Sequence, residues 1–285
     1  MSERQPWGRR ILAFPLVRII LALAPIILFL TFANKAAVAL HLDKKGLANA
    51  LVPALFGVVV LALYAAYVRT IERRPVDELG ARGAVAETAR GFAVGAALFT
   101  VTMGVLIVIG VAAVARGDGW RACLVGLLSS IGAACLEETM LRAIFFRIVE
   151  ASLGTWIALA LSAALFGLLH AGNPGATGVS TMAIALEAGV LLAAAYAYTR
   201  RLWMAMGLHA AWNFTEGGLF GASVSGTTPY GLLHSRFSGA RLLTGGAFGP
   251  EASIVAIIVC LSAGVAFAVA VHRRGQVIAP FWLRR

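Results

Sequence analysis

Length, composition and charge already restrict the class of protein. The 285 residues are 60% hydrophobic and 13% charged, about half the charged fraction of a typical soluble protein. The formal net charge is +11, but the basic residues are spread between apolar segments, which argues against a nucleic-acid-binding protein. The three cysteines lie in apolar segments without paired spacing, so neither a disulfide framework nor a cysteine-zinc site is predicted.

Several stretches of about twenty apolar residues predict transmembrane helices, because only segments that satisfy their own backbone hydrogen bonds can cross hydrocarbon. We therefore predict an all-α fold, a polytopic membrane bundle of about eight helices. The chain, 1–285, is predicted to be a single membrane domain, with N-terminal spans in 1–115, core helices in 120–220, and an outer loop and the last span in 221–285. The predicted spans are 16–34, 47–68, 90–114, 121–147, 155–170, 179–199, 202–220 and 251–271.

The first span is preceded by three arginines and followed by small residues, a pattern that a cleaved signal peptide shares. Pro15, Arg18 and Pro25 interrupt the apolar core that a signal peptide needs, so a retained span is favoured. With an even number of spans, fifteen Lys and Arg residues fall in inner segments and seven in outer ones. This bias predicts a multi-pass protein of the plasma membrane with both termini in the cytoplasm.

Two connecting segments stand out between the spans. Residues 69–90 predict a short amphipathic cytoplasmic connection rich in both signs of charge. Residues 221–250 are rich in Gly, Ser and Thr and predict an irregular outer loop that could cover a cavity.

Glu137, Glu138 and Glu187 lie inside predicted spans, where a charge costs at least ~2.5 kcal/mol, so a functional site is the default hypothesis. Glu138 and Arg142 are four residues apart on one helix face, which predicts a salt bridge between them. That pairing leaves Glu137 as the carboxylate that faces a polar cavity and as the reactive candidate. The alternative is a structural polar patch that joins helices.

Two further spans each carry a polar pair with helical spacing. Phe166 and His170 share one face of the fifth span, and His209 and Asn213 share one face of the seventh. A carboxylate and an imidazole can together activate water, which suits Glu137 and His170. An imidazole N–H and an amide can stabilise an oxyanion, which suits His209 and Asn213.

Two more acidic residues receive no catalytic role from the sequence. Glu187 either lines the same cavity or is structural. Glu216 either holds Asn213 or marks the end of a helix.

Three motifs, EExxxR, FxxxH and HxxxN, occur in this order on successive spans. Together they resemble the CAAX prenyl protease and bacteriocin-processing family of intramembrane proteases, also called the Abi family, over about residues 120–220. The resemblance implies an endopeptidase in which Glu137 and His170 activate water and His209 and Asn213 stabilise the oxyanion. The residues that carry it are Glu137, Glu138, Arg142, Phe166, His170, His209 and Asn213.

The metal dependence of that family has been argued both ways, and this sequence has no HExxH motif. A metal-free glutamate mechanism without cofactors is the favoured expectation. In the alternative, Glu137, His170 and His209 would form a three-ligand zinc site with an open position.

The leading hypothesis is therefore an intramembrane endopeptidase of the CAAX-protease type. Its partners would be the lipid bilayer and a lipidated or membrane-associated peptide, with no nucleic acid. A non-proteolytic bacteriocin-immunity or scaffold protein is the main alternative. A proton-coupled transporter is less favoured, because the sequence shows no repeated halves. The sequence predicts neither the substrate's identity nor the oligomeric state.

Overall fold

The computed structural model describes residue 12 and residues 14–39 and 47–284, with the side chains of 47–50 left aside. The three arginines that precede the first span lie outside the described residues. The helices are α1 (Pro15–Ala39), α2 (Leu47–Tyr67), α3 (Ala84–Val108), α4 (Trp120–Glu138), α5 (Arg147–Leu153), α6 (Thr155–Leu169), α7 (Gly178–Ile184), α8 (Val190–Thr199), α9 (Leu202–Asn213), α10 (Arg241–Thr244) and α11 (Ile254–Arg273).

Wider π-helical turns continue four of these helices, two short 3₁₀ turns lie in the connections, and a third follows the last helix. The π-helical turns are Val68–Glu72, Thr139–Phe146, Ala185–Gly189 and Phe214–Leu219. The 3₁₀ turns are Asp77–Leu79, Pro250–Ala252 and Phe281–Leu283. The strands β1 (Ala112–Arg116) and β2 (Leu233–Phe237) pair antiparallel, with Ala112 opposite Phe237.

The predicted all-α membrane bundle is confirmed. Within the described residues, six helical segments are long and apolar enough to cross a membrane. They are Pro15–Ala39, Leu51–Glu72, Ala84–Val108, Trp120–Leu153, Gly178–Thr199 and Ile254–Arg273.

The remaining two predicted spans are helical but differ from the other six. The fifth corresponds to α6, whose 15 residues extend about 22 Å and do not reach across a hydrocarbon core of about 30 Å. The seventh corresponds to α9, in which ten of the 12 residues are buried by neighbouring helices. Because protein rather than lipid surrounds α9, this helix can carry polar residues.

Two predicted boundaries need correction. The third helix begins at Ala84 rather than at residue 90 and ends at Val108, because the chain turns at Gly110 and then enters β1. The connection predicted at 69–90 is consequently shorter, since both of its ends are helical. The predicted outer loop at 221–250 is only partly irregular, because it contains β2 and α10.

Glycines allow α3 and α9 to pack with their backbones nearly in contact. A Cβ atom at Gly91 would lie 2.2 Å from the carbonyl oxygen of Met204, and one at Gly95 would lie 2.2 Å from that of Leu208. From the other side, a Cβ at Gly207 would meet the carbonyl of Thr88 at 2.3 Å. Lipid provides no hydrophobic driving force between membrane helices, so their association depends on close packing, which small residues allow. This contact fixes α9, which carries two of the candidate site residues.

An ion-pair cluster lies at the end of α2. The carboxylate of Glu72 accepts hydrogen bonds from Arg18 (2.6 Å), Arg74 (2.8 Å) and Arg147 (2.9 Å). Arg74 also donates to Glu78 at 2.9 Å. Burial disfavours the charge on Arg74, but its hydrogen bonds to Glu78 and Glu72 outweigh burial and raise the pKa of its guanidinium. The cluster therefore joins α1, α2 and α5 through charged groups.

Candidate active site

Glu138 lies at the centre of a fully buried charge network. Its carboxylate pairs with Arg142, with Nε 3.2 Å from Oε2 and Nη1 3.3 Å from Oε1. The same Oε1 accepts from Nδ1 of His209 at 2.9 Å, which ties α4 to α9. The spacing of the EExxxR motif indicated the first contact, whereas the second joins residues 71 positions apart. Glu138 thus orients His209 and is itself balanced by Arg142.

Arg142 lies in the π-helical turn that follows α4, and its side chain is 0% exposed. Its Nη2 points at the backbone carbonyls of Ala188 (3.5 Å) and Gly189 (3.4 Å), which belong to another π-helical turn. The guanidinium also lies 4.7 Å from the centre of the Phe166 ring, a cation–π distance. The motif phenylalanine therefore stabilises the buried charge.

Glu137 points toward the two histidines rather than toward Arg142. Its Oε2 lies 3.9 Å from Nε2 of His170 and 4.0 Å from Nε2 of His209. Both distances exceed a direct hydrogen bond and match groups that a water molecule bridges. The Glu137 side chain is 30% exposed, while that of Glu138 is 0% exposed. The adjacent glutamates thus occupy different surroundings.

The backbone of α6 defines the proton arrangement of His170. Its Nδ1 lies 2.8 Å from the carbonyl oxygen of Phe166, which can only accept, so Nδ1 carries the hydrogen. In the neutral ring Nε2 then presents a lone pair toward Glu137. The His170 ring stacks on Phe166 with centroids 4.7 Å apart, which fixes its orientation.

Two cavities meet at Asn213. The small cavity measures about 30 Å³, enough for one or two water molecules. Its polar lining consists of His170, Glu187, His209, Asn213, Ser225 and Glu251. The large cavity measures about 770 Å³ and is bounded by α4, the turn after α9 and residues 222–230. Its lining side chains are all neutral.

Of the two unassigned acidic residues, Glu187 lines the small cavity and Glu216 is fully buried in the turn after α9. The carboxyl group of Glu216 lies beside both the carboxyl group and the backbone N–H of Glu251. Two adjacent carboxyl groups can hydrogen bond only when they share a proton. Glu216 does not mark a helix end, because helical structure continues to Leu219.

The sequence interpretation overlooked Glu251. The residue was placed at the start of the last predicted span, although it is 2% exposed and lines the small cavity. A usable signal was present, since Glu187, Glu216 and Glu251 each lack a basic residue within four positions along the chain.

The three candidate zinc ligands are spaced more widely than the ligands of tetrahedral zinc. Ligand atoms around tetrahedral zinc lie about 3.4 Å apart, given zinc–ligand distances of about 2.1 Å. The carboxylate oxygen of Glu137 is 3.9 Å from one imidazole nitrogen and 4.0 Å from the other. No group of three or more His, Cys, Asp or Glu residues in the described part of the chain could hold a metal ion.

The residues of the three motifs therefore lie together in one site. Residues 119–215 match the family model of Rce1-like type II CAAX prenyl endopeptidases. That segment contains all seven motif residues, so the resemblance predicted from the motifs is confirmed there. No curated protein and no solved structure matches the chain. The six apolar helices in the described residues indicate a multi-pass membrane protein, and the matched segment is similar to a family of CAAX prenyl endopeptidases.

Proposed function

We propose that the protein is an intramembrane endopeptidase that uses Glu137 to activate water. The observation that supports this most directly is the position of the Glu137 carboxylate, about equally far from Nε2 of His170 and Nε2 of His209. A water molecule between these groups can donate one hydrogen to Glu137 and the other to the free lone pair of His170.

The proposed reaction begins when this water attacks the carbonyl carbon of a peptide bond and its proton passes to Glu137. The oxyanion that forms would accept hydrogen bonds from the Asn213 amide and from a protonated His209. The C–N bond then breaks, and Glu137 returns the proton to the leaving amine. Glu138 and Arg142 would support this sequence by holding His209 in place.

The large cavity is the proposed binding site for the substrate. It reaches Asn213, and its lining side chains are small or neutral on both walls. A membrane-associated or lipidated peptide with an uncharged segment at the cleaved bond suits this lining, because a buried charge would find no partner there.

The test is cleavage of membrane-associated peptides by the purified full chain in detergent. We expect Glu137→Gln and His170→Ala to lower kcat by about 10²-fold or more. Glu87→Gln is the matched control, because Glu87 pairs with Arg201 away from the cavities. Cleavage by both site variants at the wild-type rate would refute the proposal. Partner binding that persists in Glu137→Gln without any wild-type cleavage would instead support a scaffold or immunity role.

A further inference from the structure

The segment 222–228, here called the partition, separates the two cavities. Ser225 lines the small cavity. The partition residues that line the large cavity are Ala222, Val224, Gly226, Thr227 and Thr228. The partition contains neither helix nor strand, so no ladder of backbone hydrogen bonds determines its shape. Its shape depends on a local turn, in which Thr227 donates to the carbonyl of Val224 at 2.9 Å, and on contacts with other segments.

Glu251 supplies the strongest of these contacts. Its Oε1 accepts from the backbone N–H of Ser225 at 2.6 Å and from the Ser225 hydroxyl at 2.7 Å. Ser225 has φ 46°, a left-handed conformation that costs free energy in a residue other than glycine. The double hydrogen bond offsets part of this cost, so Glu251 helps to hold Ser225 in this conformation.

Other contacts connect the partition to the site. Gly226 donates to the carbonyl of Phe248 at 2.6 Å, three residues before Glu251. A Cβ atom at Gly226 would lie 1.8 Å from the carbonyl oxygen of Pro174, in the turn that follows His170. The partition therefore packs between the turn after α6 and the segment that precedes α11.

The buried glutamates of the described residues fall into two groups. Glu78, Glu138 and Glu150 pair with arginine, whereas Glu187, Glu216 and Glu251 form no such pair in that part of the chain. Glu251 forms no ion pair with Lys or Arg among the described residues, and its carboxyl group lies beside that of Glu216. An unpaired buried carboxyl is costly and contributes nothing to packing that a leucine would not contribute. Its distinctive property is the double acceptor contact with Ser225.

We propose that Glu251 is a positioning residue that holds the partition, through Ser225, in the shape that binds the substrate beside Asn213. This inference rests on the proposed endopeptidase function. The partition forms one wall of the large cavity, whereas Glu137 and His209 are held by α4, α9 and Arg142. Loss of the contact should therefore weaken substrate binding more than it slows the chemical step.

The kinetic test compares Glu251→Leu with Glu251→Gln. Leucine fills similar space without an acceptor, whereas the glutamine carbonyl can still accept both Ser225 donors. We expect Glu251→Leu to raise KM about tenfold with a smaller change in kcat, and Glu251→Gln to stay within about twofold of wild type. Equal KM values for wild type and Glu251→Leu would refute the inference while leaving the endopeptidase proposal intact.

A second measurement does not need activity. Val224→Cys places a thiol on the partially buried part of the partition, and its labelling by a maleimide reports how firmly the partition is held. Combined with Glu251→Leu, labelling should accelerate severalfold over Val224→Cys alone, and with Glu251→Gln it should not. The parent without Val224→Cys corrects for the three native cysteines. If no peptide is cleaved by wild type, the function fails but this labelling still tests the partition.

Ser225→Ala keeps the inference testable if Glu251→Leu does not fold. This variant removes one of the two donors and leaves Glu251 in place. We expect a smaller rise in KM and a smaller acceleration of labelling, both in the same direction. Unchanged KM and unchanged labelling in a folded Ser225→Ala variant would contradict the proposed role of the contact.

Discussion

Arg142 is the residue on which the buried charges of the site depend. It balances Glu138, contacts the backbone carbonyls of Ala188 and Gly189, and lies over the ring of Phe166. Glu138 in turn holds Nδ1 of His209. A change at either charged residue therefore affects both the stability of the bundle and the orientation of a histidine that faces Glu137.

These two effects can be separated by a double substitution. Arg142→Met should lower the free energy of unfolding by about 3–5 kcal/mol, because it removes the guanidinium that balances the buried charge of Glu138. Adding Glu138→Gln removes that buried charge, so the double variant should recover much of the stability. Activity should not recover, because His209 has lost its charged partner. Thermal unfolding and peptide cleavage of the same samples provide the comparison, and full recovery of activity would contradict the assigned role of Glu138.

Asn213 permits a second residue-scale prediction. If its amide donates to the oxyanion, Asn213→Ala should lower kcat by about 10²- to 10³-fold. Asn213→Asp keeps the shape but replaces the donor with a negative charge, so its kcat should fall at least as far. Asp matches Asn in volume, whereas Ala does not. A kcat of Asn213→Asp equal to that of wild type would therefore exclude the oxyanion role.

At the scale of elements, the π-helical turns account for much of the site. One begins directly after Glu138 and contains Arg142, one contains Glu187, and one begins directly after Asn213. A π-helical turn widens the helix and changes where its backbone groups point. The carbonyls of Ala188 and Gly189 are examples, since both accept from Arg142.

The close contact between α3 and α9 predicts that an added methyl group destabilises the protein only where the two helices touch. Gly91→Ala would force a Cβ atom against the backbone of α9, so we expect a loss of about 1–3 kcal/mol in the free energy of unfolding. Gly104→Ala, on the same helix, meets no atom within 4 Å and serves as the matched control. The free energies of unfolding of both variants, measured under the same conditions, separate the effect of helix packing from that of helix propensity. A similar loss in the two would show that the close approach is not responsible.

The sequence predicted the fold class and the residues that converge, because apolar length and helical spacing are local properties. It could not predict the contact of His209 with Glu138, which depends on how α4 and α9 cross. The contact of Glu251 with Ser225 was inaccessible for a related reason, because Ser225 lies in an irregular segment without a periodic pattern. The π-helical turns were equally inaccessible, since motif spacing was interpreted on an α-helical geometry.

At the scale of the whole molecule, charge is distributed unevenly. Arginines pair with glutamates around Glu72 and Glu150, whereas the large cavity is lined by neutral side chains. The bias of basic residues between the spans predicts both termini on the cytoplasmic side. Reporter fusions at each end of the full chain provide the measurement, and opposite sides for the two ends would contradict this prediction.

The neutral lining of the large cavity should disfavour substrates with a charge near the cleaved bond. A peptide with Asp or Lys next to the cleaved bond would bring a charge into a cavity without a charged partner, so kcat/KM should fall about tenfold or more. A series that replaces one uncharged residue with Asn, Asp or Lys separates charge from size. Equal cleavage of the Asn and Asp peptides would show that another part of the chain binds the charge.

The long helical segment from Trp120 to Leu153 has a consequence of its own. Its 34 residues include the π-helical turn at Thr139–Phe146. This turn changes the direction in which all later side chains of the segment point. Before the turn the rod presents Glu137 and Glu138 to the histidines, and after it Arg147 faces Glu72. Deleting a single residue within the turn would rotate one half of the rod against the other by about 100°. The number of residues in this helical segment therefore sets the angle between the glutamates that face the histidines and the arginine that pairs with Glu72.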